Sequence, residues 1–305
     1  MVGGASDAAL AGGCAMPRGA SATLFSHLAL SLGVGEVSMN TIVQSVAAVF
    51  ALGLGAHFVR ADDGRWVFST GVDYSTGDYG EAHDTTIVTV PLSAGYAAER
   101  WRATLTVPLV DIEGPGTIVP GGIGGGGLLG GLLGGDAANP ASPLGGVDST
   151  GLGDVSLEVS AVPFVSEGGT QASVTGRVRA PTGDAERGLG TGEAAAAIAG
   201  GLRQPIGPRA AIFGTVGYEH AFDGGGSGVF AGAGAESYVA ARVLAGATID
   251  FAQASSELRR DAVQAGAYVG LDVADNTRIV AYGAAGLSET SPDVQAGLRI
   301  VFGVR

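Results

Sequence analysis

Through residues 62–305 apolar or small side chains take turns with polar residues or glycine, in runs of about ten broken by turn-rich spacers. A period of two sets successive side chains on opposite faces of a strand. Trp101, Ala103, Leu105, Val107 and Leu109 share one face, with Arg102, Thr104, Thr106 and Pro108 on the other. Val155, Leu157, Val159 and Ala161 oppose Asp154, Ser156, Glu158 and Ser160. Ala172, Val174, Gly176 and Val178 oppose Ser173, Thr175, Arg177 and Arg179. The final run sets Val294, Ala296, Leu298, Ile300, Phe302 and Val304 against Gln295, Gly297, Arg299 and Arg305.

What surrounds such strands follows from composition. Mean hydropathy is +0.33 and charged residues make up 15% of the chain, against about 25% in soluble domains. The longest helix-like apolar stretch, Thr41 to Ala56, falls short of the roughly 20 residues that a spanning helix needs. The other way to satisfy every backbone hydrogen bond in lipid is a closed β-barrel. A soluble sandwich shares the alternation, but its core face calls for bulky side chains, and here many of those positions are Ala or Gly. Trp66, Tyr74, Tyr96, Trp101, Tyr218 and Phe302 gather near run ends, as interfacial aromatics do.

The expected fold is all-β: an antiparallel up-and-down transmembrane barrel of about 12 strands. The runs centre near residues 70, 91, 105, 158, 175, 198, 215, 231, 247, 268, 282 and 299. Short turns are expected at 97–100, 204–208 and 274–276, and longer loops at 75–84, 111–151, 181–192 and 253–261. Short periplasmic turns and long outer loops are the usual asymmetry of bacterial outer-membrane barrels, which puts both ends of the barrel chain on the periplasmic side.

Residues 39–61 read as a signal peptide, with an apolar core from Ile42 to Gly55 and Val59-Arg60-Ala61 ahead of Asp62-Asp63-Gly64. Met39-Asn40 supplies no basic leader, so translation starts at Met39 or upstream, at Met16 or Met1; a buried core helix is the alternative for this stretch. Residues 1–38 are an upstream extension expected to add nothing to the fold, leaving 62–305 as the barrel. The single cysteine, Cys14, follows no apolar run of the lipoprotein kind. Cleavage after Ala61 leaves a chain without cysteine, as suits export through an oxidising compartment.

Chemistry is sparse beyond that cut. Only His83 and His220 remain, neither beside another ligand at metal spacing, so no metal site or cofactor is expected. No Gly-x-Ser-x-Gly elbow accompanies His220, which is expected at the rim, and the chain reads as a non-enzyme. Gly121 to Gly135 lacks the Lys and Ser/Thr of a phosphate loop. It belongs to the long Gly-rich outer loop 111–151, where Leu128, Leu129, Leu132 and Leu133 are candidates for a constriction in the barrel mouth. Asp73, Asp78, Glu81 and Asp84 read as a solvated acidic loop, with a divalent cation site as the alternative. The net charge of −13 argues against a nucleic-acid partner.

Parity places Glu158, Arg177, Arg179, Glu193, Glu219, Arg242, Asp250, Asp272, Arg278 and Arg299 in the lumen. Glu158 is expected to meet Arg177 or Arg179, and Arg242 to meet Asp272. Ionisable groups kept away from lipid mark a hydrated pathway or a paired interior network.

Several motifs together resemble a family of outer-membrane barrels, the "MetA pathway of phenol degradation" transporter family. They are Val90-Pro91-Leu92-Ser93-Ala94-Gly95-Tyr96 with Arg100-Trp101-Arg102 and Leu105-Thr106-Val107-Pro108; Gly151-Leu152-Gly153-Asp154-Val155; Ala180-Pro181-Thr182-Gly183-Asp184 with Gly188-Leu189-Gly190-Thr191-Gly192; and the hairpin from Tyr282-Gly283 through Gly286-Leu287-Ser288 to Ser291-Pro292-Asp293. The resemblance spans roughly 65–305. The long loop 111–151 and the ending Gly303-Val304-Arg305, with Phe302 in place of a terminal aromatic, depart from the pattern.

The resemblance implies a bacterial outer-membrane location and passage of aromatic or other hydrophobic compounds, with no catalytic residues to carry over. The expected partners are outer-membrane lipid, a small-molecule solute and the barrel-assembly machinery. A non-conducting barrel with a structural or surface-interaction role is the alternative, motivated by the long Gly-rich loop.

Overall fold

The computed structural model describes residues 64–80, 82–114, 148–222, 226–253 and 261–304 with their side chains, and 118–120 and 138–140 as backbone. The signal-peptide reading of 39–61, the leucines of 121–135 and Glu81 lie outside the described residues. The described residues of the barrel belong to one compact unit.

Twelve long strands form its wall: β1 (Arg65–Gly77), β2 (Thr85–Ala97), β3 (Trp101–Glu113), β7 (Val155–Val165), β8 (Gln171–Ala180), β9 (Ala195–Ile206), β10 (Ala210–Ala221), β11 (Ser227–Ala240), β12 (Val243–Ala252), β13 (Ala262–Ala274), β14 (Thr277–Gly286) and β15 (Val294–Val304). Short β4 (Ile118–Pro120) and β5 (Ala138–Pro140) pair with each other, and β6 (Ser149–Leu152) pairs with the far end of β3. Every long strand is antiparallel to its neighbours, and β1 meets β15 from Trp66↔Val304 to Thr76↔Val294, which closes the sheet and leaves no edge. An eleven-residue strand is roughly 36 Å long and at a tilt of about 40° rises about 28 Å, close to the apolar band of about 25 Å that such barrels present.

All the expected run centres fall inside these strands. The connections alternate as well. Residues 98–100, 166–170, 207–209, 241–242 and 275–276 are short turns at the end where β1 begins and β15 stops, and longer loops occupy the opposite end. Loop 75–84 is shorter than expected, because Ser75 and Thr76 still pair with both β15 and β2. Likewise β3 continues to Glu113, where it faces Thr86.

The outward face is apolar. Ile198, Leu202 and Ile206 on β9, Ile212 and Val216 on β10, and Val174 and Val178 on β8 point away from the lumen, with Ile198 60% and Val216 57% exposed. A continuous surface of this kind asks for an apolar surrounding. At the short-turn end it is edged by aromatics: Trp66 against Tyr96 and Tyr96 against Trp101, both at 5.6 Å between ring centroids, and Phe68 stacked on Phe302 at 5.5 Å. At the long-loop end Tyr74, Tyr218 and the edge-on pair His220–Phe222 hold similar places. No helix among the described residues is long and apolar enough to cross a membrane, which says nothing of crossing by strands.

Candidate functional site: the lumen and its outer cover

The inward face of β9–β15, with β1, carries three arginine–carboxylate–tyrosine groups. Arg203 donates to Glu236 Oε1 from Nε (3.1 Å) and Nη2 (2.7 Å), while Tyr268 donates to Glu236 Oε2 at 2.8 Å. Arg278 donates to both oxygens of Asp272 (2.6 and 3.0 Å) and to the hydroxyl of Tyr238 (3.0 Å). Arg299, with its side chain 3% exposed, donates to Asp73 Oδ2 at 2.9 Å, and Tyr282 donates to the other oxygen of Asp73. Each group joins three strands through charge-assisted bonds, and each neutralises itself. They fill one side of the lumen.

The opposite side, on β1–β3, β7 and β8, is walled by short hydroxyl side chains such as Ser69, Ser93, Thr106 and Ser173. A cavity of about 790 Å³ lies between the two sides, running from Arg65, Arg102 and Asn276 near the short turns up to Arg177 and Arg299. A space of about 310 Å³ shares Glu158, Arg177, Arg203 and Glu236 with that lining and opens onto Ala197, Ala199, Gly201, Phe213 and Phe230. Twelve strands leave room between a side-chain-filled barrel and an open porin, and the triads take up part of it.

Toward the long-loop end part of the inner wall is covered. Leu189, from the loop between β8 and β9, packs with Tyr79 from the β1–β2 loop onto inward-facing Ile87, Val110 and Ile112, all five buried. The Leu189 loop is fixed by one carboxylate. Asp154 accepts from the backbone N–H of Gly183 (2.9 Å) and from both the N–H (2.8 Å) and the hydroxyl (2.9 Å) of Thr191. Thr182 ties the same two segments, donating to the Gly153 carbonyl at 3.1 Å and accepting from the Val155 N–H at 2.9 Å. Asp184 caps the short 3₁₀ turn Ala185–Arg187, which ends at Gly188 with φ 72°. The backbones approach so closely that a Cβ on Gly190 would stand 2.8 Å from the Gly183 Cα.

Behind the cover, Glu219 lies against Arg179 (3.4 Å) and Arg177 (3.8 Å), and Arg179 reaches Asp154 at 3.9 Å. The outer cover is therefore joined to the wall by a charge network. Burial in the cover pushes the Tyr79 hydroxyl up to about 12, opposed in part by its hydrogen bond to Ser75.

Of the ten residues expected in the lumen, eight lie on inward positions of strands: Glu158, Arg177, Arg179, Glu219, Asp250, Asp272, Arg278 and Arg299. Arg242 does not. It occupies the two-residue turn between β11 and β12, its side chain 61% exposed and 3.9 Å from Asp275, because parity ends where the strand ends. Glu193 likewise lies in the β8–β9 loop rather than on a strand. Glu158 stands opposite Arg177 in register, while Arg242 meets Asp272 through the backbone, its carbonyl accepting the Asp272 N–H at 2.9 Å, and the Asp272 carboxylate is held by Arg278 across the β13–β14 hairpin. Asp73 leaves the acidic loop for the lumen, and no group of potential metal ligands occurs among the described residues. His220 faces outward at the rim with Nδ1 2.7 Å from the Ser227 hydroxyl, its cross-strand neighbour. Sequence reading missed Asp73, Arg203 and Glu236 as paired wall residues and Leu189 and Tyr79 as the cover.

No protein-family model matches the chain, and no curated protein does. Among solved structures it is similar to the COG4313 outer membrane channel from Pseudomonas putida F1, at a TM-score of 0.61 and 14% identity over 82% of this chain and 98% of that one. Weaker likenesses include the KdgM porin (TM-score 0.46, 5% identity, 78% and 99% covered) and the CymD monoaromatic hydrocarbon channel (TM-score 0.40, 11% identity, 80% and 88% covered). The fold is a closed antiparallel barrel of twelve long strands, similar to the fold of that channel.

Proposed function

We propose that this chain is a narrow channel of the bacterial outer membrane for small, hydrophobic or aromatic solutes. One observation carries the reading: an apolar cover of Leu189, Tyr79, Ile87, Val110 and Ile112 stands above a polar cavity whose side space is lined by Ala197, Ala199, Gly201, Phe213 and Phe230. A solute on this route meets apolar contacts first and hydrogen-bonding groups second. The small side chains of β9 leave space for a ring beside Phe213 and Phe230, whose edges and faces favour aromatic partners. The outward apolar band and its aromatic edges support insertion in lipid, and the likeness of fold to an outer-membrane channel supports the location.

Osmotic swelling of proteoliposomes in isosmotic phenyl glucoside and in glucose tests this. The expected result is faster swelling in the aromatic glycoside despite its greater size; faster entry of glucose contradicts it. The cover also favours a second reading, a barrel that does not conduct. Absence of swelling above protein-free vesicles in both solutes, retained after Leu189→Ala, selects that one.

A further inference from the structure

Two rows of side chains on the lumen wall share one design. Tyr268 on β13 stands directly opposite Gly246 on β12, and Gly246 stands opposite Glu236 on β11. Tyr282 on β14 stands opposite Gly297 on β15, which stands opposite Asp73 on β1. In each row the tyrosine lies across the glycine and donates its hydroxyl to the carboxylate two strands away, at 2.8 Å for Glu236. The missing side chain is what lets the ring lie there. A Cβ on Gly246 would stand 2.6 Å from the Tyr268 Cε1, and one on Gly297 would run into the ring of Tyr282. A third ring, Phe230, lies over its cross-strand partner Gly217, where a Cβ would stand 2.6 Å from Cε2.

The row at Gly246 borders the open space. Tyr268, Leu244, Gly270 and Val280 line the cavity of about 790 Å³, and Gly246 lies behind the Tyr268 ring. Any side chain at position 246 has to move that ring. Motion along β12 is blocked, since the next inward residues on that strand, Leu244 and Thr248, are both buried. Tyr268 also packs with Leu244 and Val280 in one apolar cluster. The strand backbone closes the outward side, so the ring can leave only toward the cavity.

We propose that Gly246 is a positioning residue that fixes the width of the solute path. By letting Tyr268 lie flat on the wall, it keeps the cavity open to ring-sized solutes that a methyl group at this position would shut out. Gly246 touches no solute itself and acts through Tyr268. The inference deepens the channel reading by assigning a determinant of solute size, and rests on that reading only for the claim that what enters the cavity also crosses the membrane.

A thiol beside the ring reports the opening without any need for flux. Gly270 is the next inward residue on β13, and the nearest atom to an added Cβ there, Arg278 Cδ, is 3.5 Å away, so Gly270→Cys fits. With Cys14 replaced, this thiol in the full chain in detergent is allowed to react with methyl or with benzyl methanethiosulfonate. Gly246→Ala is expected to slow the benzyl reagent several-fold more than the methyl one. Tyr268→Leu should speed the benzyl reagent, and Gly246→Ala/Tyr268→Leu should match Tyr268→Leu alone, because no ring remains to be moved. Gly200→Ala on β9, where an added Cβ meets nothing within 4 Å, should change neither rate.

An equal effect of Gly246→Ala on the two reagents, no effect on either, or a slowing that persists when Tyr268 is replaced would overturn the proposal. So would a slowing of the same size in Gly200→Ala. If Gly246→Ala does not migrate as a folded, heat-modifiable species, Tyr268→Leu decides alone, and a benzyl rate no faster than with the tyrosine in place overturns it. Size discrimination at the thiol together with closed proteoliposomes would uphold the positioning role and remove only the transport reading.

Discussion

Asp154 accepts the backbone N–H of Thr191 at 2.8 Å and that of Gly183 at 2.9 Å, and through these two bonds one carboxylate decides where Leu189 lies. Asp154→Ala removes an ionised acceptor from three donors at once, a local cost of about 3 kcal/mol. Amide exchange at Gly183 and Thr191 should accelerate together, and single-channel conductance should rise as the cover lifts. Unchanged exchange at both amides would show that the loop is held by something else.

The glycines of this region should differ sharply in tolerance. A Cβ on Gly190 would stand 2.4 Å from Asp154 Oδ1 and 2.8 Å from the Gly183 Cα, so Gly190→Ala must push a backbone aside. On Gly151 the nearest atom, at 2.7 Å, is the Cδ1 of Leu189, the far end of a movable side chain. Gly190→Ala is expected to reproduce the exchange and conductance phenotype of Asp154→Ala at a cost of about 2 kcal/mol, and Gly151→Ala to cost well under half of that. Equal effects in exchange measurements would contradict the packing described.

The contrast between these features marks what was legible in the sequence. Alternation is local, so the twelve long strands and most inward charges could be read from parity alone, Arg177 and Arg299 included, whereas the short β4, β5 and β6 fall in the stretch read as a loop. Pairing is not local. Asp272 finds Arg278 because the two-residue turn 275–276 and the bulge before it set that register, whereas Arg242 belongs to a turn where parity has no meaning. The motifs around Gly151–Asp154 and Thr182–Thr191 stood out as a resemblance, but their meeting depends on backbone contacts between segments about thirty residues apart. Leu189 offered no signal at all. A lone leucine in a Gly-rich loop becomes a cover only because Val110 and Ile112, far away in the chain, stand beneath it.

The Asp73–Arg299 pair is the most enclosed of the wall triads, with side chains 16% and 3% exposed. Asp73→Ala strands the Arg299 guanidinium and the Tyr282 hydroxyl and should destabilise the barrel by about 3 kcal/mol. Removing both charges, as in Asp73→Ala/Arg299→Leu, should restore much of that loss, because the desolvation cost of the arginine disappears with it. Urea unfolding in detergent measures both variants; a double variant weaker than the single one would show that the ion pair itself is the source of stability.

Tyr79 gives the cover a dependence on pH. Its hydroxyl titrates near 12 in the folded loop and near 10 when exposed, so the loop holds a proton that the opened chain gives up. Stability of the cover should be constant below about pH 10 and fall as pH rises from there toward 12. Exchange rates at Gly183 and Thr191 should increase across this window in the native chain, with a smaller increase in Tyr79→Phe. Identical profiles for the two chains would remove Tyr79 from the cover.

In the proposed membrane setting one set of side chains on each strand faces lipid and the other faces water inside a closed wall. Spin labels placed singly along β8, at Ala172 through Arg179 with Cys14 replaced, test it in a reconstituted bilayer by their accessibility to oxygen and to a water-soluble nickel chelate. Labels at 172, 174, 176 and 178 are expected to favour oxygen and those at 173, 175, 177 and 179 to favour nickel, two patterns of period two in opposite phase. Uniform access of the nickel reagent along the strand, or a shared phase for both reagents, would contradict it.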